Sequence, residues 1–154
     1  MLIDTELLEL DKKAKLGNPE ALSEMAYHYE YGVGIEQNIM KSYRYYLKAT
    51  SLNNSDAILQ MCSIYYDKPN RVSRSLYWHK EAFNHPDIED KIKGQCAINI
   101  AGIYEDKEEH DKVLYWVEEA LKFGKELPKE DIDYVKFIAE NTKNKILSFK
   151  EIKN

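Results

Sequence analysis

Apolar positions recur along this chain in two short patterns, each at helical spacing. The first places Ala21, Met25, Ala26 and Tyr29 at offsets 0, 4, 5 and 8; it returns as Ala57, Met61, Cys62 and Tyr65, and again as Cys96, Ile100, Ala101 and Tyr104. Those offsets lie on one face of a 3.6-residue helix. Small residues at the first and third positions let a neighbouring helix approach closely, while Met or Ile and Tyr fill the gap between. The second pattern is Lys41-Ser42-Tyr43-Arg44-Tyr45, then Arg74-Ser75-Leu76-Tyr77-Trp78, then Lys112-Val113-Leu114-Tyr115-Trp116. Each copy reaches an alanine four residues past its last aromatic: Ala49, Ala82 and Ala120. Spacings are 36 and 39 residues in the first series and 33 and 38 in the second. Each repeat is thus a helical hairpin that cannot bury its apolar stripe alone, so the repeats must stack.

The elements follow from these stripes and their punctuation. An opening helix is predicted over 3–15, ended at Leu16-Gly17-Asn18 with Gly17 in a C-cap position. Helix pairs are predicted at about 19–31 and 39–52, 55–67 and 72–84, and 89–105 and 109–123. Gly124 closes the last of these, and Pro128 opens a terminal helix over about 129–150. In it Ile132, Val135, Ala139, Thr142, Ile146 and Phe149 step by three and four, an apolar face expected to cap the stack. The fold class is therefore all-α: a solenoid of three degenerate repeats (about 19–53, 55–86 and 89–124) between an opening and a capping helix. No linker divides it, so one domain over 1–154 is expected.

Composition narrows the function classes. At 44% apolar residues, with six Gly and four Pro, the chain favours long helices over disorder. No apolar run approaches the roughly 18 residues of a membrane span. The start, Met1-Leu2-Ile3-Asp4-Thr5-Glu6, lacks the basic and apolar segments of a secretory signal, so a cytoplasmic address is expected. A net charge of −5 speaks against nucleic-acid binding and is compatible with a basic partner. Cys62 and Cys96 are too few and too far apart for a disulfide framework or a metal-binding pair.

Together these residues resemble the Sel-1-like repeat family, relatives of the tetratricopeptide repeats. Repeat one carries the pattern most fully: Ala21, Met25-Ala26, Tyr29, Gly32-Val33-Gly34-Ile35, Lys41-Ser42, Tyr45 and Lys48-Ala49. Repeats two and three lack the glycine loop, and their spacing from tyrosine to basic residue drops from 12 to 9 and 8. The paired cysteines of secreted family members are absent. The resemblance, over residues 12 to 124, implies a right-handed α–α superhelix whose concave face binds proteins.

Other motifs have plainer readings. Gly32-Val33-Gly34 follows a helix rather than a strand and lacks the Lys-Ser/Thr of a phosphate loop, so an inter-helix turn using positive φ is expected. His85-Pro86-Asp87 matches the tripeptide with which J-domain co-chaperones stimulate their partners, but it falls at a predicted turn, where Asp87 is placed to cap the next helix. The histidines His28, His79, His85 and His110 never share metal-ligand spacing. Cys62 and Cys96 read as small buried hydrophobes. No nucleophile–base set stands out; no enzyme activity, cofactor, metal or small-molecule substrate is expected.

Tyr29, Tyr45, Tyr65, Tyr104, Trp78 and Trp116 are assigned to the core. Tyr27, Tyr31 and Tyr66 point away from the inter-helix seam, as part-covered surface residues or as interface anchors. In helix-hairpin solenoids the first helix of each pair lines the concave face. Offsets left free by the core stripe place Glu20, Ser23, Glu24, Tyr27, Glu30 and Tyr31 there from repeat one. Repeat two gives Asp56, Gln60, Ser63, Tyr66 and Asp67, and repeat three Gln95, Asn99, Gly102, Glu105 and Asp106. These positions hold seven acids and no Lys or Arg. Such a groove suits a basic protein surface, with aromatics to anchor and carboxylates to steer; the alternative is a solvated face that serves solubility. By analogy with small acidic proteins that neutralise toxins, the expected function is a cytosolic immunity or inhibitor protein. The alternative is an adaptor holding a peptide or regulator without inhibition.

Overall fold

The computed structural model describes residues 5–66 and 69–152. Among the described residues run eight α-helices, one 3-10 turn at Pro69–Arg71 and no strand. They are α1 (Thr5–Lys15), α2 (Pro19–Tyr31), α3 (Ile39–Ser51), α4 (Ser55–Tyr65), α5 (Val72–Asn84), α6 (Asp90–Asp106), α7 (His110–Lys122) and α8 (Lys129–Ile152). These bounds agree with the periodicity to within two residues; the predicted ends at residues 3 and 67 lie outside the described residues. The chain divides into two compact units, Met1–Ile64 and Tyr65–Asn154.

In the first unit, α2 packs against α1 and α3. Its start is fixed by Asn18, whose side chain accepts the Ala21 N–H at 2.7 Å, followed by Pro19 in the first turn. Its end is the predicted glycine turn: Gly32 and Gly34 both take φ of 71°. His28 closes that turn, its Nδ1 donating to the Val33 carbonyl at 2.7 Å. Asn38 then caps α3 by accepting from Lys41 N–H at 2.9 Å, and Asn54 caps α4 by accepting from Ala57 N–H at 2.9 Å. Ala21, Leu22, Met25, Ala26, Tyr46 and Ala49 form the buried seam, with Ala57, Ile58, Met61 and Cys62 buried on α4.

The second unit is built on α6, which packs against both α5 and α7, with α8 laid on α7. Its core joins Ile98, Ile100 and Ala101 to Val113, Trp116, Val117 and Ala120, and to Leu127, Val135 and Ile138. Each fully buried aliphatic of this kind contributes about 1.5–3 kcal/mol. Phe83 meets the Trp116 and Phe123 rings edge-on, at centroid distances of 5.0 and 6.0 Å. At Gly94, α6 comes so close that a Cβ would stand 3.0 Å from Leu127 Cδ2 and Phe123 Cβ.

The tyrosine and basic echoes meet in space. Lys41 Nζ lies 5.1 Å from the Tyr29 ring centroid, the Arg74 guanidinium 5.7 Å from Tyr65, and Lys112 Nζ 5.0 Å from Tyr104. Each repeat thus carries a cation–π clip between its two helices.

Three expectations are corrected. Tyr45 is only half-buried, stacked on half-buried Tyr29 at 5.6 Å, while its neighbour Tyr46 is buried at 1% exposure. The equivalent positions hold His79 and Val117, both buried, but Trp78 and Trp116 are buried beside them as expected, so the displacement of the aromatic is confined to repeat one. On α8 the buried stripe is Val135, Ile138 and Thr142, and Phe149 is exposed, its ring centroid 6.1 Å from that of His110. Asp87 does not cap α6: the N-cap is Glu89, and the Asp87 N–H instead donates to Nδ1 of buried His85.

Candidate protein-binding cleft

A cleft of about 840 Å³ opens in the second unit. Its long wall is the face of α6 that the core leaves free, carrying Gln95, Asn99, Gly102, Glu105 and Asp106. Tyr65 ends α4 and Tyr66 follows it, Val72, Ser73 and Ser75 come from the first turn of α5, and Asp131 and Tyr134 from the first turns of α8. A volume of this size accommodates a drug-sized ligand or a short stretch of peptide, not a folded domain.

Gly102 shapes the floor. A glycine inside a helix costs about 1 kcal/mol relative to alanine, so its presence calls for a structural reason. At Gly94 the reason is close packing. At Gly102 a Cβ would meet only the Tyr134 hydroxyl, at 3.9 Å. The missing side chain therefore leaves cleft volume rather than relieving a clash.

The lining is acidic: Glu105, Asp106 and Asp131 against one cation, Lys107. Lys107 extends toward Glu109, with Nζ 3.7 Å from its carboxylate, and Glu109 is outside the lining. None of the ion pairs among the described residues engages Glu105, Asp106 or Asp131. Their field is felt by Tyr134, whose phenol is pushed up by burial and then by the charges of Glu105 and Asp106, with Tyr66 also contributing. Even so, Tyr66 and Tyr134 stay about half exposed, at 56% and 45%.

Behind Asn99 lies a buried hydrogen-bond relay. His79 Nδ1 is 2.8 Å from the Ser75 carbonyl, which can only accept, so Nδ1 carries the proton. Nε2 then accepts from Asn99 Nδ2 at 3.1 Å, which leaves Asn99 Oδ1 as a free acceptor. Burial holds the His79 imidazole below its ordinary value of 6.5, against the opposing Ser75 hydrogen bond, and so keeps the relay neutral. Tyr66 lies beside it, ring centroids 6.2 Å apart.

Of the residues expected in a groove, the cleft gathers Tyr66, Gln95, Asn99, Gly102, Glu105 and Asp106. Those of the first unit are not part of it. Glu20, Tyr27 and Tyr31 are exposed on α2, the two tyrosine rings 4.7 Å apart. Glu24 lines a smaller hollow of about 410 Å³ with His28 and α1 residues such as Glu6 and Leu7. Glu30 accepts a hydrogen bond from Tyr46 at 2.9 Å, so it serves the α2–α3 seam. Asp56 and Ser63 are exposed and Gln60 half-buried on α4; Asp67 lies outside the described residues. Reading the groove from first helices alone missed Asp131 and Tyr134, the serines of α5, and Lys107, a cation beside named positions that themselves hold no Lys or Arg. The one signal for Asp131 and Tyr134 was their i, i+3 spacing just beside the apolar stripe of α8.

These features define an all-α protein of the helical-repeat class. More particularly, residues 19–54 match the model of the Sel1 repeat, so the chain carries a Sel1 repeat, and its fold is that of Sel1-like repeat proteins. Among solved structures it is similar to a protective antigen present in uropathogenic Escherichia coli strains and displaying an SLR fold. The TM-score is 0.55 at 20% identity, over 75% of this chain and 25% of that one. This chain thus spans about a quarter of that protein's length. No curated protein matches the sequence.

Proposed function

We propose that this chain is a non-catalytic protein-binding module that takes a basic partner through the cleft of its second unit. One observation carries the reading: an open cleft in which the carboxylates of Glu105, Asp106 and Asp131, outside every ion pair among the described residues, stand beside two half-exposed tyrosines. Carboxylates attract and orient a cationic surface, and rigid aromatics supply contact area at low entropic cost. The finer reading is a cytosolic immunity protein that neutralises a toxin by occupying its basic substrate site. The cleft's size favours a second reading, an adaptor that receives a short peptide.

The module is tested by measuring association of the full chain with cationic peptides from about 0.05 to 0.5 M salt. Salt-sensitive binding that Glu105→Lys, Asp106→Lys and Asp131→Lys together abolish is expected. Binding indifferent to all three reversals rejects the cleft. The inhibitor reading further requires that co-expression rescue cells from a toxin encoded directly upstream; a module that binds cationic peptides but rescues nothing is an adaptor.

A further inference from the structure

The cleft has more recognition chemistry than a negative patch. Two phenol rings, Tyr66 and Tyr134, line the same cleft, and the Tyr134 hydroxyl reaches over the space that Gly102 leaves vacant. Glu105 and Asp106 border the same space, and the relay through His79 fixes the Asn99 amide with its oxygen free to accept. Planar faces, paired carboxylates and a fixed neutral acceptor form a set that discriminates among cations. An ammonium is a compact point charge. A guanidinium is flat, stacks on aromatic faces and offers five donors in a rigid fork that suits several acceptors at once.

We propose that the cleft seats an extended segment of the partner with one arginine side chain laid over Gly102 between Tyr66 and Tyr134, its guanidinium facing Glu105 and Asp106. This rests on the protein-binding reading above and sharpens it to one residue type. Ser73 and Gln95 along the wall supply polar partners for the backbone of the segment. A volume near 840 Å³ has room for the arginine and its chain neighbours, which is why an extended segment rather than a folded surface is the occupant.

The test is a nitrogen-15 NMR titration of the full chain with three nonapeptides of alternating Gly and Ser, carrying arginine, lysine or citrulline at the centre. The arginine peptide is expected to shift the amide signals of Gly102 and Asn99 and to bind about tenfold more tightly than citrulline, with lysine in between. Gly102→Met should erase that binding without loss of thermal stability, because the site is open and methionine is the better helix former. Tyr134→Phe should retain binding and Tyr134→Ala lose it, while Tyr27→Ala in the first unit changes nothing. Equal affinity for arginine and lysine, or indifference to Gly102→Met, overturns the inference. If charge reversal of the carboxylates still abolishes binding in that case, the acidic module survives and only the arginine seat is lost. If no peptide binds in a salt-sensitive way, both fall.

Discussion

Helix α6 carries two glycines whose opposite reasons can be weighed against each other. Replacing either by alanine gains about 0.8–1 kcal/mol of helix propensity, since both lie inside the same helix. What differs is the space each new methyl enters. At position 102 it meets nothing closer than the Tyr134 hydroxyl at 3.9 Å, an ordinary contact. At position 94 it meets Leu127 Cδ2 and Phe123 Cβ at 3.0 Å and Leu127 Cδ1 at 3.1 Å. A leucine tip can swing aside. Phe123 Cβ cannot, because it is fixed to the backbone at the C-cap of α7 and its ring abuts Phe83. Overpacking of this kind costs about 1–3 kcal/mol, which cancels or exceeds the helix gain.

Gly102→Ala should therefore stabilise the chain by about 1 kcal/mol, and Gly94→Ala should destabilise it by up to about 2 kcal/mol. For a cooperative unit the size of the second unit, Tyr65–Asn154, about 1 kcal/mol moves Tm by about 4–8 °C. Urea denaturation followed by circular dichroism, with a thermal melt beside it, separates the two variants. Equal stabilisation by both substitutions would refute the claim that Gly94 exists for close packing. Destabilisation by Gly102→Ala would show that the cleft floor is filled, and would remove the basis for reading it as open.

The remaining expectations concern the second unit and the α2–α3 seam. Lys80→Met deletes a hydrogen bond to the Tyr104 hydroxyl at 3.0 Å and the cation over the Tyr104 and Trp116 rings, at 5.4 and 5.7 Å. It should cost about 1–2 kcal/mol in a denaturant midpoint, and a change below the error of that midpoint would discount these contacts. His79 is buried and its imidazole held below 6.5, so the unfolded chain takes up this proton first as pH falls. Its contribution is complete above 6.5 and declines below, levelling off only past the lower folded value. His79→Gln should therefore flatten the stability profile between about pH 7 and 5.5; an unchanged slope would show that His79 is not the titrating group. Tyr46→Phe removes the hydrogen bond to Glu30 and should cost about 1 kcal/mol, checked by the same urea midpoint.

Most helix positions were legible because their signals are local. Asn18, Asn38 and Asn54 cap α2, α3 and α4 through their own side chains, and Gly17 and Gly32 take the positive φ that ends a helix. Burial within a helix was less legible where two aromatics sit side by side. Tyr45 and Tyr46 differ by one residue, a rotation of about 100° in an α-helix, and only the docking angle of the neighbouring helix decides which is enclosed. The cleft was half legible: the free face of α6 follows from its own core stripe, whereas Asp131 and Tyr134, marked only by their spacing beside the α8 stripe, and the α5 serines enter it by tertiary packing.

The clips explain how repeats can drift while their hairpins persist. From tyrosine to basic residue the sequence spacing falls from 12 to 9 to 8, and the glycine loop is kept only in the first repeat, the one that the Sel1 model matches. Yet the cation-to-ring distances stay within 5.0–5.7 Å. Loop length is therefore not what sets the hairpin register. Loop closure costs only about 0.6 kcal/mol for each doubling of length, so residues can be lost there at little cost once the helices dock through their small residues and clips. The loop is therefore the part of the repeat whose length can vary at least cost to packing.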